Sequence, residues 1–210
     1  MPAPKPTIIY RITHYRNVPW ILDHGIHCRT SPEQDPNFVS IGNKDLIDRR
    51  NTRAVAIAPG GFLNDYVPFY FAPHSMMLLN IHTGRVEGVK AKQEDIVFLV
   101  SSVEKLAEQK VQFIFTDGHA VPWNTEYFTD PADIEKLAWE MILSRDFKKR
   151  LDDPDRQRRY QAECLVHRHV PLTALLGIAC KDQTRADFLQ QAVTERGGTV
   201  RMVRKPQWYF

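Results

Sequence analysis

Cysteine is scarce: there are three in 210 residues, and no Cys-x-x-Cys pair. Cys28, Cys164 and Cys180 are too scattered for a disulfide framework or a structural zinc site, and their usage fits a reducing compartment. His24, His27 and Cys28 lie close together, and His167 and His169 fall two apart, but nothing completes a three- or four-ligand set, so no metal is expected. Gly-x-Gly-x-x-Gly and P-loop strings are missing, which removes the familiar glycine-rich routes to a nucleotide. No apolar run approaches the ~20 residues that a membrane helix needs. Met1 to Pro6 is proline-rich and has no apolar centre, so no signal peptide is expected, and the expected location is the cytoplasm with no membrane partner. Charge of one sign is also in short supply, because 28 basic and 25 acidic residues leave only +3.

The 210 residues suit one domain, and a 43% hydrophobic fraction with 11 Phe, 7 Tyr and 4 Trp is enough for a packed core. The distribution of charge says more than its sum. Between Arg145 and Tyr160 stand seven basic and four acidic residues, an excess equal to the net charge of the whole chain. Such a patch either faces phosphates or is a solvated helix end.

That patch leads into Arg156-Gln157-Arg158-Arg159-Tyr160-Gln161-Ala162-Glu163-Cys164-Leu165-Val166. The basic part reads as loop-like, and an apolar, β-branched run follows the glutamate. Gln161 and Glu163 are two apart, so in a strand they project from the same face. An amide and a carboxylate at the rim of a sheet are suited to gripping the hydroxyls of a ribose. The ordinary reading of a lone glutamate there is a solvated edge residue. A nucleophilic cysteine is disfavoured, since alternation points Cys164 away from His167.

Elsewhere, Thr7 to His14 is rich in β-branched and aromatic residues and predicts a strand. Asn17 is placed to cap a short helix, Val18 to His24, with Pro19 in its first turn and Gly25 as its stop. Cys28 to Arg53 shows no periodicity and reads as a long irregular loop, ending in the cationic run Arg49 to Arg53. Asp65 to Phe71 reads as a short aromatic strand bracketed by prolines, and Met76 to Ile81 as another. Ile96 to Val100 and Val111 to Phe115 are further strands, the second ending at a turn that presents His119. Asp130 caps a helix from Pro131 whose stripe is Ile134, Leu137, Ala138, Met141 and Ile142, running out at Phe147 to Arg150. Glu163 to Val170 alternates as one strand, and Leu175 to Ala179 is the next. A helix opened by Thr184 and Asp187 ends at Gly197-Gly198, before a last strand from Thr199 to Val203. About seven strands and three or four helices predict one α+β domain, residues 1–210, built on antiparallel pairs.

In this order, Asp65-Tyr66-Val67-Pro68-Phe69-Tyr70-Phe71, Pro73-His74-Ser75-Met76-Met77, Phe115-Thr116-Asp117-Gly118-His119-Ala120 and Gln161-Ala162-Glu163-Cys164-Leu165-Val166 resemble the DarT family of DNA ADP-ribosyltransferase toxins. The resemblance covers essentially the whole chain. Cys164 stands where the pattern expects an aromatic residue, and His74 where it expects a basic one. The resemblance implies an ADP-ribosyltransferase-like split antiparallel sheet with flanking helices. It also implies transfer of ADP-ribose from NAD to a thymidine base in single-stranded DNA, with release of nicotinamide. NAD is then a consumed substrate, and no prosthetic group is required. By the same resemblance Glu163 is catalytic and stabilises the cation that develops on the ribose, and Arg50 acts on the acceptor base. Arg11, Ile12, Thr13, His14, Gly25, Ile26, Arg50, Arg53, Tyr70 and His119 are implied to bind NAD. Arg156, Arg158, Arg159, Tyr160 and Gln161 are implied to bind DNA. A DarG-type macrodomain antitoxin is the implied partner. An enzyme of this fold acting on RNA or protein, and a nucleic-acid-binding module with a dead site, stay open as the other readings.

Overall fold

The computed structural model describes residues 1–210. In chain order the elements are β1 (Ile8–His14), α1 (Val18–His24), β2 (Ile26–His27), α2 (Lys44–Thr52), β3 (Tyr66–Tyr70), α3 (Met76–His82), β4 (Ile96–Ser102), α4 (Val103–Glu108), β5 (Phe113–Thr116), β6 (Tyr127–Phe128), α5 (Trp139–Ile142), α6 (Arg156–Tyr160), β7 (Glu163–His167), β8 (His169–Val170), β9 (Gly177–Cys180), α7 (Gln183–Glu195) and β10 (Met202–Arg204). Eight strands form one sheet in the order β10-β9-β4-β1-β3-β7-β5-β6, while β2 and β8 pair separately. All neighbours are antiparallel except β9 and β10, which run parallel, so the expectation of purely antiparallel pairs holds for all but one edge. A parallel pair needs a crossover, and α7 supplies it.

The strands are apolar on both faces, and each face is covered. Ile9, Val97, Leu99, Phe69, Phe115, Cys164 and Ile178 belong to the larger core, which also takes residues from α1, α5 and α7. Ile12, Phe98 and Ala179 face a smaller core closed by α3 and by Tyr209 near the C-terminus. Trp139 is almost fully buried in the larger core, and its indole N–H donates to the Ile134 carbonyl at 2.8 Å.

Neighbouring strands β1 and β3 share a single paired position, Tyr10 opposite Tyr70, and beyond it they diverge. Pro68 supplies a reason. A residue's N–H and C=O leave a strand on the same side, and the Pro68 carbonyl accepts from the Arg11 guanidinium at 3.1 Å across the gap. The donor that proline lacks therefore falls on that same open side, where no continuous ladder can form. The sheet is split here, and the split is a cleft.

Several sequence expectations change. Arg156 to Tyr160 is a short helix and not a loop, and Gln161 is its C-terminal cap, so β7 begins at Glu163 and the Gln161/Glu163 pair does not share a strand face. The stretch from Cys28 to Arg53 contains α2, capped by Asn43, whose side chain accepts from the Leu46 N–H at 3.0 Å. Met76 to Ile81 is helical because the Ser75 hydroxyl caps the Leu78 N–H, an N-terminal signal that outweighs the apolar run. The helix expected from Pro131 is broken. A 3₁₀ segment, Pro131–Lys136, ends at extended Leu137, α5 is a single turn, and residues 147–150 are not helical. Glu163 to Val170 is interrupted at Arg168, whose φ of +64° separates β7 from β8. Asn17 precedes α1 without capping it through its side chain. The strands expected at Leu175 and Thr199 begin at Gly177 and Met202.

Candidate active site

The split in the sheet opens a cleft of about 280 Å³. From β1 it takes Arg11, Ile12 and Thr13, from β3 it takes Tyr70, and α2 closes it with Arg50. His119 and Gln161 complete one wall, and Ile26 lies on another.

Glu163, the first residue of β7, sits opposite Tyr70 and is only 1% exposed, behind the cleft lining. Both of its oxygens are held. Oε2 accepts from the Arg50 guanidinium at 2.8 Å, and Oε1 accepts from the Ala120 N–H at 2.9 Å. Its own N–H donates to the Thr116 hydroxyl at 3.1 Å, so backbone and side chain are both fixed. Burial pushes the Glu163 carboxyl up, but the Arg50 guanidinium, His119 and the Ala120 N–H outweigh it and leave the group below its usual value. Glu163 is therefore a carboxylate at neutral pH. With about four lone-pair sites and two bonds made, it retains acceptor capacity for a ribose hydroxyl.

Arg50 is the one buried residue of α2, and its second terminal nitrogen is buried without a partner. An unpartnered guanidinium N–H beside a cleft is a donor awaiting an acceptor. Asn64 anchors the helix by donating to the Ile47 carbonyl at 3.2 Å. Arg11, on β1, shares the cleft with Arg50 of α2; burial, followed by the Arg50 charge, pulls its pKa down to about 10. Two cations share the cleft, an arrangement that favours an anionic occupant such as a diphosphate. Burial and the Glu163 charge raise the Tyr70 phenol, so it remains a neutral donor. Burial lowers the His119 imidazole despite the nearby carboxylate, so it is neutral at pH 7, and its Nδ1 accepts from the Val121 N–H at 3.1 Å.

The cleft thus brings together Arg11, Ile12, Thr13, Ile26, Arg50, Tyr70, His119 and Gln161 with Glu163 beneath. His14 stands outside it, at the end of β1, lining a neighbouring pocket with Lys90 and Asp95. Gly25 does not line it; at φ +76° it ends α1, and a Cβ there would lie 2.5 Å from the Val170 carbonyl oxygen. Arg53 donates to the Pro122 carbonyl at 3.2 Å, tying the end of α2 to the His119 turn. Gln161 bonds the Gln157 carbonyl at 2.8 Å, and the buried Tyr160 hydroxyl donates to the His74 carbonyl at 2.9 Å. The three arginines of α6 are all paired with carboxylates: Arg156 with Asp146, Arg158 with Asp117 and Asp155, and Arg159 with Asp153. No group of three or more His, Cys, Asp or Glu side chains is placed to hold a metal ion.

Asn17, expected as a helix cap, has another part: its side chain bonds the Thr13 hydroxyl at 3.0 Å and both polar groups of the Val39 backbone, fastening the cover segment to β1. Sequence reasoning missed Asn43. The pattern Asn43, Leu46, Ile47, Arg50 carried a cap and one helical face, and was the available signal for α2.

Known proteins share both sequence and fold with this chain. The sequence pattern of the family described as "ssDNA thymidine ADP-ribosyltransferase, DarT" matches residues 10–210. A DNA ADP-ribosyl transferase of Escherichia coli O127:H6 is 42% identical over 208 residues, spanning 99% of this chain and 95% of that protein. Thermus sp. 2.9 DarT in complex with ADP-ribosylated ssDNA superimposes with a TM-score of 0.90 at 32% identity, over 100% of this chain and 99% of that one. The same Thermus protein in complex with NAD+ gives a TM-score of 0.86, again at 32% identity and covering 99% of each chain. A Thermosipho africanus DNA ADP-ribosyl transferase–DNA ADP-ribosyl glycohydrolase fusion is 26% identical over 208 residues, matching 99% of this chain and 50% of the fusion. With the family pattern matched over residues 10–210 and a relative 42% identical over nearly the whole of both chains, the chain belongs to the DarT family of ssDNA thymidine ADP-ribosyltransferases.

Proposed function

We propose that the cleft takes NAD with its diphosphate toward Arg11 and Arg50, and that Glu163 stabilises the ribosyl cation as nicotinamide leaves. Activity is that of the family: ADP-ribose passes from NAD to a thymidine base of single-stranded DNA. The observation that carries the assignment of roles is the 2.8 Å Arg50–Glu163 pair at the floor of the cleft. Breaking the nicotinamide–ribose bond builds positive charge on the anomeric carbon, as at a glycosidase transition state. A carboxylate already oriented by two donors stabilises that charge without reorganising.

Arg50 covers the carboxylate, so the ribose reaches Glu163 when Arg50 shifts toward the substrate anion. Its unpartnered nitrogen then gains an acceptor. With DNA bound, the same guanidinium is to lie next to the acceptor base and stabilise its ring-nitrogen anion, while the ring proton passes to solvent water as the nitrogen–ribose bond forms and nicotinamide leaves. As a free base the guanidinium would be poor, because its pKa is ~12.5–13.8. Tyr70 and His119, both neutral, serve as hydrogen-bonding walls for the nicotinamide or the base. Residues 1–210 act as one domain in this reading. No helix is long and apolar enough to cross a membrane. In this reading the enzyme works in the cytoplasm, where NAD and DNA meet. Support for a toxin–antitoxin pairing comes from the Thermosipho protein, which joins a transferase to an ADP-ribosyl glycohydrolase in one chain. A DarG-type macrodomain is the partner this implies.

The test is mass spectrometry of oligonucleotides incubated with the protein and NAD. A single strand containing one thymidine gains one ADP-ribose, and the same strand with that thymidine replaced gains none. Transfer to RNA or to protein in place of DNA would overturn the reading of the acceptor.

A further inference from the structure

The turn from Asp117 to Thr125 delivers the Ala120 N–H to Glu163, and its own bonds, Thr125 to the His119 carbonyl and the Val121 N–H to His119 Nδ1, shape it without tying it to the element that carries Glu163. The turn is pinned from below by Arg158. The guanidinium grips Asp117 with two bonds, Nη1 to Oδ1 at 2.6 Å and Nη2 to Oδ2 at 2.8 Å. It is fixed in turn by Asp155, through Nε at 2.7 Å and Nη2 at 2.8 Å, and Nη1 lies 3.4 Å from the Thr125 hydroxyl. The Arg158 main-chain oxygen also accepts the His119 N–H at 2.8 Å. One residue therefore holds the turn by side chain and backbone together, on either side of Gly118. The fit leaves no room for a larger residue, since a Cβ on Gly118 would come within 2.5 Å of Arg158 Nη1 and 2.7 Å of its carbonyl oxygen. Bonds from Thr125 to the His119 carbonyl at 2.7 Å and from Thr116 to the Gly118 carbonyl at 2.6 Å complete the brace.

A lysine would offer the same charge without the fork, and the two carboxylates already occupy the faces of the guanidinium that a DNA phosphate would need. We propose that Arg158 is a positioning residue for the transfer reaction, bracing the His119–Ala120 turn so that the Ala120 N–H meets the Glu163 carboxylate and His119 stays in the cleft lining, and that it is not a phosphate contact. This inference deepens the reading of the Glu163 site and rests on it.

Arg158→Lys and Asp117→Asn test it, with Glu163→Ala beside them. Both are expected to lower kcat for transfer by about tenfold or more, with KM for NAD held within about twofold. The double variant is expected to lose less than the sum of the two singles, because the Arg158–Asp117 bond pair is lost in both. The salt dependence of single-stranded DNA binding is expected to match wild type in Arg158→Lys and Arg158→Ala. If Arg158→Lys does not fold, as judged by thermal melting, Asp117→Asn carries the same forecast alone. Wild-type kcat in Asp117→Asn, or a salt slope reduced by about one in Arg158→Ala, as loss of one phosphate contact gives, would overturn the proposal. Full activity in Glu163→Ala would instead defeat the underlying reading of the site.

Discussion

Glu163 keeps a negative charge where burial opposes it, and the Arg50 guanidinium with the Ala120 N–H makes that possible. The pair has a consequence for pH. A carboxyl held below its ordinary value contributes stability above its unfolded pKa of about 4.3, and that contribution is lost as pH falls through the lower folded value. Transfer should accordingly show no acid limb from Glu163 in the neutral range. In Arg50→Ala the largest opposing charge is gone and burial prevails, so the acid limb should move to higher pH; a pH profile of single-turnover rates reads this directly. A profile identical to wild type would mean that Arg50 does not control the carboxylate. Removing Arg50 also leaves a charge buried without its partner, a change that costs about 3–5 kcal/mol for fully buried pairs and less beside an open cleft. Arg11→Ala should weaken NAD binding more than it slows turnover, because Arg11 meets the cleft from β1 and does not touch Glu163. Calorimetry with NAD and a kcat measurement separate the two.

Its place ahead of an apolar run singled out Glu163 without separating it from a solvated edge residue, and the roles of both Glu163 and Arg50 were legible only through the resemblance to the family. Gln161 was named for the wrong reason: it lines the cleft as the cap of α6 and not as a strand neighbour of Glu163. The pairing of Arg156, Arg158 and Arg159 with Asp146, Asp117, Asp155 and Asp153 was hidden, because a charge count cannot show which cations are already met.

Among elements, α2 does most to shape the site. Its apolar content is low, and it is held by the Asn43 cap, by Asn64 and by the Arg50 pair. Asn43→Ala should therefore destabilise the helix by about 1 kcal/mol. The effect should appear in kcat/KM and in local amide exchange over residues 44–52, while Tm moves little. A large fall in Tm with unchanged kcat/KM would place α2 in the global core instead. Both α2 and α3 escaped notice for one reason. Each is short, and each is started by a side-chain cap, Asn43 or Ser75, and not by a long amphipathic stripe. The helix expected after Asp130 failed in the opposite way. Its stripe was present in the sequence, but Leu137 and Ala138 leave helical geometry, and the apolar residues pack from two short segments.

Across the whole molecule, the cleft exists because the sheet is assembled from distant parts of the chain. β1 pairs fully with β4 but at only one position with β3, Tyr10 with Tyr70, and β7 sets Glu163 opposite that same Tyr70, where the divergence begins. The longer strands were readable from their residues, although Met76 to Ile81, expected as a strand, is helical and the two-residue strands β2 and β6 carried no signal. The order of the strands was not readable, since no local pattern says that β4 and β3 flank β1, or that β10 runs parallel to β9. Arg11 from β1 and Arg50 from α2 both line the cleft, so an anion bound there is attracted by two guanidinium groups. NAD should raise Tm more at low than at high ionic strength, because screening weakens the attraction that binding gains. Equal shifts at both ionic strengths would show that Arg11 and Arg50 do not hold the diphosphate.

The most direct test of Glu163 is a single-turnover reaction of Glu163→Gln with NAD and a thymidine-bearing single strand, read by product mass, with NAD affinity measured on the same sample. The account predicts that NAD still binds, the protein remains folded and no ADP-ribosylated strand forms. Transfer at the wild-type rate would show that the cation on the ribose is stabilised elsewhere.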